Sequence, residues 1–446
     1  MTVSTVAVVG SGAVLQNKAT TYYYPISSTL SGRNATEANT NVRIRSTVTT
    51  RNLYFYCYSN TVNGASTLVS RINSGAGSAN GNLTVSIPAS TSGAFEDTTH
   101  TDSLSDGYEY NWKLTTGGSA GSLYVTQIAC TIEHSSIGTQ FLVVSGSTVV
   151  TQGLTRFYCP FGAHVSQADE TLARFTCRFS ATSSRLKMIL TANTVSATST
   201  FKSRKNAADG GQSISIPAST AGVFEDTSGS DSITAGDTFN YEIVTGSGTG
   251  SLTLQLTHTM LQSESVGVAV QGKNNFGTLN PSITRFLTLE GSATPVSTET
   301  YTQFLSRIGF LRTSLFVYVS VNSLTGSSTV RTRKNTADGN LAVSIAGGTT
   351  GAFEDYYTGS GHFDSVADSD LVNEQIVTGS GGSITIVMVA VSTAQLLALS
   401  ITDSGAGADA ATLEMSTTVL DIAASLDVVA LSAAFTVADA ASGFDV

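Results

Sequence analysis

The stretch Asn82-Leu83-Thr84-Val85-Ser86-Ile87-Pro88-Ala89-Ser90-Thr91-Ser92-Gly93-Ala94-Phe95-Glu96-Asp97 returns twice, as SISIPASTAGVFED ending on Asp226 and as LAVSIAGGTTGAFED ending on Asp355. The triplets Phe95-Glu96-Asp97, Phe224-Glu225-Asp226 and Phe353-Glu354-Asp355 are each 129 residues apart. A phrase repeated at so fixed a period means three copies of one structural unit in tandem.

Other markers keep register with it. Gly81, Gly210 and Gly339 share the 129-residue step. Asn60, Asn193 and Asn322 close the apolar runs LYFYCYSN, LKMILTAN and LFVYVSVN, and Asn111, Asn240 and Asn373 sit inside YEYNWKL, DTFNYEIV and DLVNEQIV. Each copy ends in a Gly-rich turn and a strand-like run, as in SLTLQLTH, where Leu252, Leu254 and Leu256 alternate onto one face. β-branched and aromatic residues fill these runs, and Gly, Asp, Asn and Ser punctuate them. No stretch between residues 20 and 395 holds a helical period.

About eight such runs per copy predict an all-β chain of three tandem jelly-roll-like β-sandwich units. An immunoglobulin-like sandwich is the alternative, because strand order is not written in a single sequence. The units run over residues 20–136, 155–265 and 284–395. Residues 1–19 precede them as a leader, an edge strand or docking arm, and the intervening segments 137–154 and 266–283 carry apolar runs that suit bridging strands. Phe95, Phe224 and Phe353 are predicted to be buried where each sandwich turns a corner.

Residues 396–446 form a tail with its own 18-residue repeat. Asp403, Asp421 and Asp439 keep that step, as do Asp409, Asp427 and Asp445. Extended chain would put all six carboxylates on one face. A helix competes, since Val419, Ile422, Leu426, Val429 and Ala433 step by three and four. The repeat stops partway through its last copy, so either a final strand ends there or the chain continues.

Composition narrows function. Charged residues are 12% of the 446, about half the usual share, while hydrophobic residues reach 41% and Gly numbers 42. This is a β protein with a hydroxyl-rich, weakly charged surface. A net charge of -10 opposes binding to nucleic acid or to an anionic membrane. The first apolar run has no basic residue before it and is short and Gly-broken, so it reads neither as an export signal nor as a membrane span. Cys57, Cys130, Cys159 and Cys177 show no metal-ligand spacing. They read as small buried hydrophobes, with a private Cys57–Cys130 or Cys159–Cys177 bridge left open.

The Glu-Asp pairs invite an acid–base reading, but strand neighbours point to opposite faces and do not converge on one bond. A structural role is expected instead, with Phe in the core and the acids holding a loop through backbone N–H groups. Calcium is a weak second use. Asp97 with Asp102, Asp226 with Asp231 and Asp355 with Asp364 place two acids on each Ser/Thr/Gly-rich loop, where calcium wants six to eight oxygens. The histidines His100, His134, His164, His258 and His362 form no HxH or HExxH pattern, and no nucleophile elbow or phosphate loop appears. No catalytic residue or cofactor is therefore assigned. Tyr22, Tyr23, Tyr24, Tyr54, Tyr56 and Tyr58 suit either core and interface packing or stacking on a sugar.

Phrases such as NTADGNLAVSIAGGTTGAFEDYYTGSGHFDSVADSDLVNEQIVTGSGGSITI and SITDSGAGADAATL resemble those of bacteriophage virion-surface structural proteins over most of residues 60–130, 193–260 and 322–446. That resemblance implies a capsid-decoration, head-fibre or tail component, not an enzyme. It would be assembled in the host cytoplasm, with copies of itself and other virion proteins as partners. A carbohydrate-binding adhesin or receptor-binding fibre on the extracellular surface, taking a host glycan, is the alternative. A glycan-degrading enzyme using Glu225 or its counterparts comes third.

Overall fold

The computed structural model describes residues 3–134, 139–263, 269–274, 276–292, 295–356, 362–395, 399–401 and 413–415. Among them every regular element is a β-strand or a one-turn 3-10 helix. The alternating, β-branched runs are strands where they were expected to be.

The layering is not the expected one. The strands do not separate into three tandem sandwiches, jelly-roll-like or immunoglobulin-like. They build a propeller-like ring of sheets: six sheets, of twelve, six, five, five, five and two strands. What overturns the tandem arrangement is sharing between repeats. The largest sheet runs in the order Gly351–Tyr356, Phe310–Asn322, Ile384–Gln395, Ala269–Asn274, Gly291–Ser292, Val3–Asn17, Ser122–His134, Val48–Asn60, Gly93–Leu104, and so crosses from the third repeat into the first. The second repeat contributes a six-stranded sheet around Ser251–Gln262. Each repeat adds a five-stranded sheet around Glu109–Thr115, Thr238–Val244 or Leu371–Val377.

Val3–Asn17, within the expected leader, is an interior strand. It pairs antiparallel with Ser122–His134, from Val3↔His134 to Asn17↔Ser122, and meets Gly291–Ser292 in parallel at Ser11↔Ser292. Thr139–Thr151 and Ala269–Asn274 play the same part in the later repeats, laddering on Ser251–Gln262 and Ile384–Gln395. Phe141 and Val143 nevertheless pack into the hydrophobic cluster of the first repeat.

The physical reason for the shared layering is two-sided burial. Leu252, Leu254 and Leu256 are all buried, but so are Gln255, Thr257, His258 and Thr259 between and beyond them. The expected common face is also divided, because Leu252 and Leu254 join the second repeat's cluster and Leu256 joins the first's. The second face of such a strand is polar yet lies inside a junction. Gln255 Nε2 donates to Gly32 O at 3.0 Å, and Gln127 Nε2 donates to Thr302 O at 2.6 Å. Hydroxyls and amides satisfied this way cost little to bury.

Phe95, Phe224 and Phe353 are only partly buried, packed against the edges of their clusters. They lie on rim strands, where just one face meets a core. The four cysteines are buried and free, so neither private bridge forms. Burial pushes the thiols of Cys57 and Cys159 up to about 11 and about 12. In the tail, Leu399–Ile401 pairs antiparallel with Leu413–Met415. The six tail aspartates lie outside the described residues.

Candidate assembly site at the repeat junctions

The repeated acids divide into three jobs, and each is built the same way three times. Asp97, Asp226 and Asp355 reach across to a neighbouring rim strand, where their carboxylates accept the backbone N–H of Thr84 at 2.9 Å, Ser213 at 2.8 Å and Ala342 at 2.8 Å. Asp102, Asp231 and Asp364 take the N–H two residues earlier on the same strand: Asn82 at 2.6 Å, Gly211 at 2.6 Å and Asn340 at 2.5 Å. Alternate outward donors of an edge strand are thereby capped by carboxylates. A bare row of such donors is otherwise a template for pairing with another chain.

The Asp97 carboxyl opposes a burial cost, but N–H donors from Thr84, Thr99 and His100 and the His100 ring hold it down to about 2. Asp226 is likewise held below its usual range against burial, by N–H groups of Gly229, Ser213 and Ser228. Donors already occupy these carboxylates, and among the described residues no group of three or more His, Cys, Asp and Glu is placed to hold a metal. Gly81, Gly210 and Gly339 mark where the second carboxylate lies against the strand. A Cβ there would stand 2.6, 2.5 and 2.7 Å from an oxygen of Asp102, Asp231 and Asp364. The Asn set is as regular. Asn60, Asn193 and Asn322 each donate to two carbonyls of the following turn, Pro88 and Thr91, Pro217 and Thr220, Ala346 and Thr349, at 3.0–3.1 Å. Asn111, Asn240 and Asn373 are wholly buried, and Asn111 and Asn373 donate to Thr40 and Thr302 at 3.0 Å.

The middle residue of the triplet faces another repeat. Glu225 of the second repeat pairs with Arg45 of the first at 2.6 Å. Glu354 of the third takes Arg178 of the second through Nε at 2.8 Å and through a second, shorter Nη2 contact. Glu96 of the first takes Arg307 of the third through Nε at 3.2 Å and again through Nη2. Three equivalent contacts therefore close a cycle. Arg45, Arg178 and Arg307 were not singled out from the sequence. Their spacings of 133 and 129 are those of Asn60, Asn193 and Asn322, and that register was the available signal.

At the centre of the cycle the short strands Ser28–Thr29, Gly162–Ala163 and Gly291–Ser292 converge. Ser28 Oγ donates to Gly162 O at 2.5 Å, a Cβ on Gly162 would lie 2.9 Å from Gly291 O, and one on Gly291 would lie 3.0 Å from Ser28 O. All three residues have positive φ, at 98°, 79° and 118°. Two are glycine, for which that region is open, and Ser28 holds it under strain.

Charge is also buried, and here the repeats differ. Where the first two carry Trp112 and Tyr241 after the aligned Asn, the third carries Glu374. Glu374 is fully buried with Lys273 at 2.5 Å and Arg312 at 3.3 Å, both also fully buried. Beside them Glu290 accepts from Ser27 Oγ at 2.5 Å, and burial pushes its carboxyl up to about 8 against the hydrogen bonds and the nearby Lys273. His164 is buried between Gly146 O at 2.9 Å and Thr257 Oγ1 at 3.0 Å, and burial lowers it to about 4. Of the tyrosines, Tyr24 and Tyr54 are core, Tyr22, Tyr23 and Tyr56 are half-buried, and Tyr58 stacks on Tyr301.

No protein-family model matches the chain, and no curated protein matches it. Among solved structures the chain is similar to one described as the triple jelly roll fold and turret assembly in an archaeal virus, at 15% identity over 87% of this chain and 90% of that one, with a TM-score of 0.20. It is also similar to a chain from the structure of Sulfolobus Turreted Icosahedral Virus, at 14% identity over 79% and 80%, with a TM-score of 0.16. Both are viral chains, of archaeal rather than bacteriophage origin, and both TM-scores lie below that of a shared fold.

Proposed function

We propose that the chain is a non-enzymatic structural protein of a virion surface, a capsid-decoration, head-fibre or tail component. The observation that carries this reading is the closed cycle of Glu–Arg contacts around a tight centre. The repeated acids hold strands and repeats together. A pseudo-threefold body suits a site of local threefold symmetry on a particle, where like contacts recur. The phage-like phrases support the same class. Free, buried cysteines suit assembly in a reducing host cytoplasm. Its partners are copies of itself and other virion proteins.

The test is co-sedimentation of the full chain with virus particles purified from the host that carries the gene, followed by electron microscopy of labelled chain. Saturable binding at a defined particle site is expected. A chain that stays a dispersed monomer and binds no particle overturns the reading. A glycan-binding adhesin on the extracellular surface is the second reading, favoured by one cleft between the third and first repeats.

A further inference from the structure

That cleft lies at a junction whose outer face carries residues its two counterparts lack. It has a volume of about 450 Å³ and is lined by Tyr58 of the first repeat and by Arg285, Val296, Ser297, Thr298 and Tyr301 of the third. The volume falls in the range of small-molecule sites. Tyr58 stacks on Tyr301 with ring centres 4.8 Å apart and planes 27° apart, and Tyr124 packs beside Tyr58 at 5.2 Å.

Register shows that the scaffold does not need these rings. Tyr58 stands two residues before the closing Asn of Val48–Asn60, and the same position in Ala181–Asn193 and Phe310–Asn322 is Thr191 and Ser320. Tyr301 is the third residue of the one-turn helix Glu299–Tyr301, and the same position in the other two is Asn39 and Leu172. The aromatic pair therefore belongs to a single junction, while the ring closes equally well at all three. Arg285 Nη1 donates to its neighbour's carbonyl, Thr284 O, at 2.9 Å, and among the described residues no carboxylate pairs with it. Among the described residues it is the one charged side chain lining the cleft, in a chain of net charge -10.

We infer that this cleft binds a saccharide bearing one carboxylate, a sialic- or uronic-acid unit. Aromatic rings offer flat apolar faces to the C–H face of a pyranose, and hydroxyls such as those of Ser297 and Thr298 exchange hydrogen bonds with its OH groups. A guanidinium takes a carboxylate through two parallel N–H donors. A single arginine in an acidic protein selects one charge, not a polyanion, so nucleic acid does not fit. The inference goes beyond the virion reading and stands whether or not the chain is built into a particle.

The test uses the full chain with sialyllactose, a glucuronic-acid disaccharide and neutral lactose as probes, read by saturation-transfer NMR and titration calorimetry. The acidic probes are expected to bind and lactose to bind at least about tenfold more weakly, since each 1.4 kcal/mol is tenfold. Tyr301→Leu and Tyr58→Thr install residues that the other repeats already carry at these positions, so folding is kept. Each should weaken binding by about tenfold or more. Arg285→Gln should remove the preference for acidic over neutral sugar. Three results overturn the proposal: no saturation transfer from any probe, binding unchanged in Tyr301→Leu, or an acidic preference that survives Arg285→Gln. None of them bears on particle co-sedimentation, so the two readings fail separately.

Discussion

The rim of the ring and the interior of its third repeat treat charge in opposite ways. At the rim, Glu96, Glu225 and Glu354 meet Arg307, Arg45 and Arg178 in three matching contacts, each still partly open to water. Inside the third repeat, Lys273, Arg312 and Glu374 form one network with no exposure at all, where the first two repeats carry Trp112 and Tyr241. What recurs three times is architecture, and its individual strength is small, because part-solvated ion pairs are worth little. What occurs once departs from the template and carries a large penalty if half of it is removed, because a buried charge left alone cannot be solvated.

The sharpest way to break this contrast is Glu374→Gln, which strands Lys273 and Arg312. A loss of about 3–5 kcal/mol in denaturant unfolding is expected. A loss near that of a rim pair would erase the distinction.

Next in size is the pH dependence set by Glu290. Its folded carboxyl sits near 8, well above the unfolded value. Between about pH 4.5 and 8 the unfolded chain has released a proton that the folded chain keeps, so stability falls as pH rises through this window. Thermal midpoints from pH 6.5 to 9 should drop for the native protein by the equivalent of roughly a few kcal/mol. Glu290→Gln should flatten the curve. His164, lowered from its ordinary 6.5 to about 4, acts between those two values with the opposite slope, so it falls below the pH 6.5–9 range of the measurement.

A rim junction comes third. Glu354→Gln and Arg178→Met should each cost about 1 kcal/mol, with a coupling of about 0.5–1 kcal/mol in a double-mutant cycle. The Glu96–Arg307 cycle should give the same figure if the junctions are equivalent. The smallest effect concerns the ring centre. Ser28→Ala keeps the strained φ of 98° and loses the bond to Gly162 O, so a cost of about 0.5–1 kcal/mol is expected. Ser28→Gly loses the bond and the strain together and should be nearer to neutral. Calorimetric midpoints of the two variants should therefore separate, with alanine the lower.

Much of this organisation could be read from the residues. The step between Phe-Glu-Asp triplets picked out positions whose contacts recur three times, though not the sheets that carry them, and Asp97, Asp226 and Asp355 accept backbone N–H groups. Two things escaped. One was which acid does what: Asp97 holds its own repeat while Glu96, one residue away, holds the third, because strand neighbours face opposite ways. The other was the joining of the repeats. Gln255, Thr257 and Thr259 look solvent-facing in a sequence, since a hydroxyl or amide between leucines signals water. Here that second face is buried against another repeat, and only the partner across the junction shows it. Tyr58 and Tyr301 were likewise unpairable from sequence, being 243 residues apart and from different repeats.

The Glu–Arg cycle has one further consequence. Each contact is heterologous: one repeat offers its Glu edge and receives through its Arg edge, as subunits do in a head-to-tail ring. Such contacts run on into filaments unless the rotation per step closes. Here it closes at three, so donor and acceptor edges are used up inside a single chain.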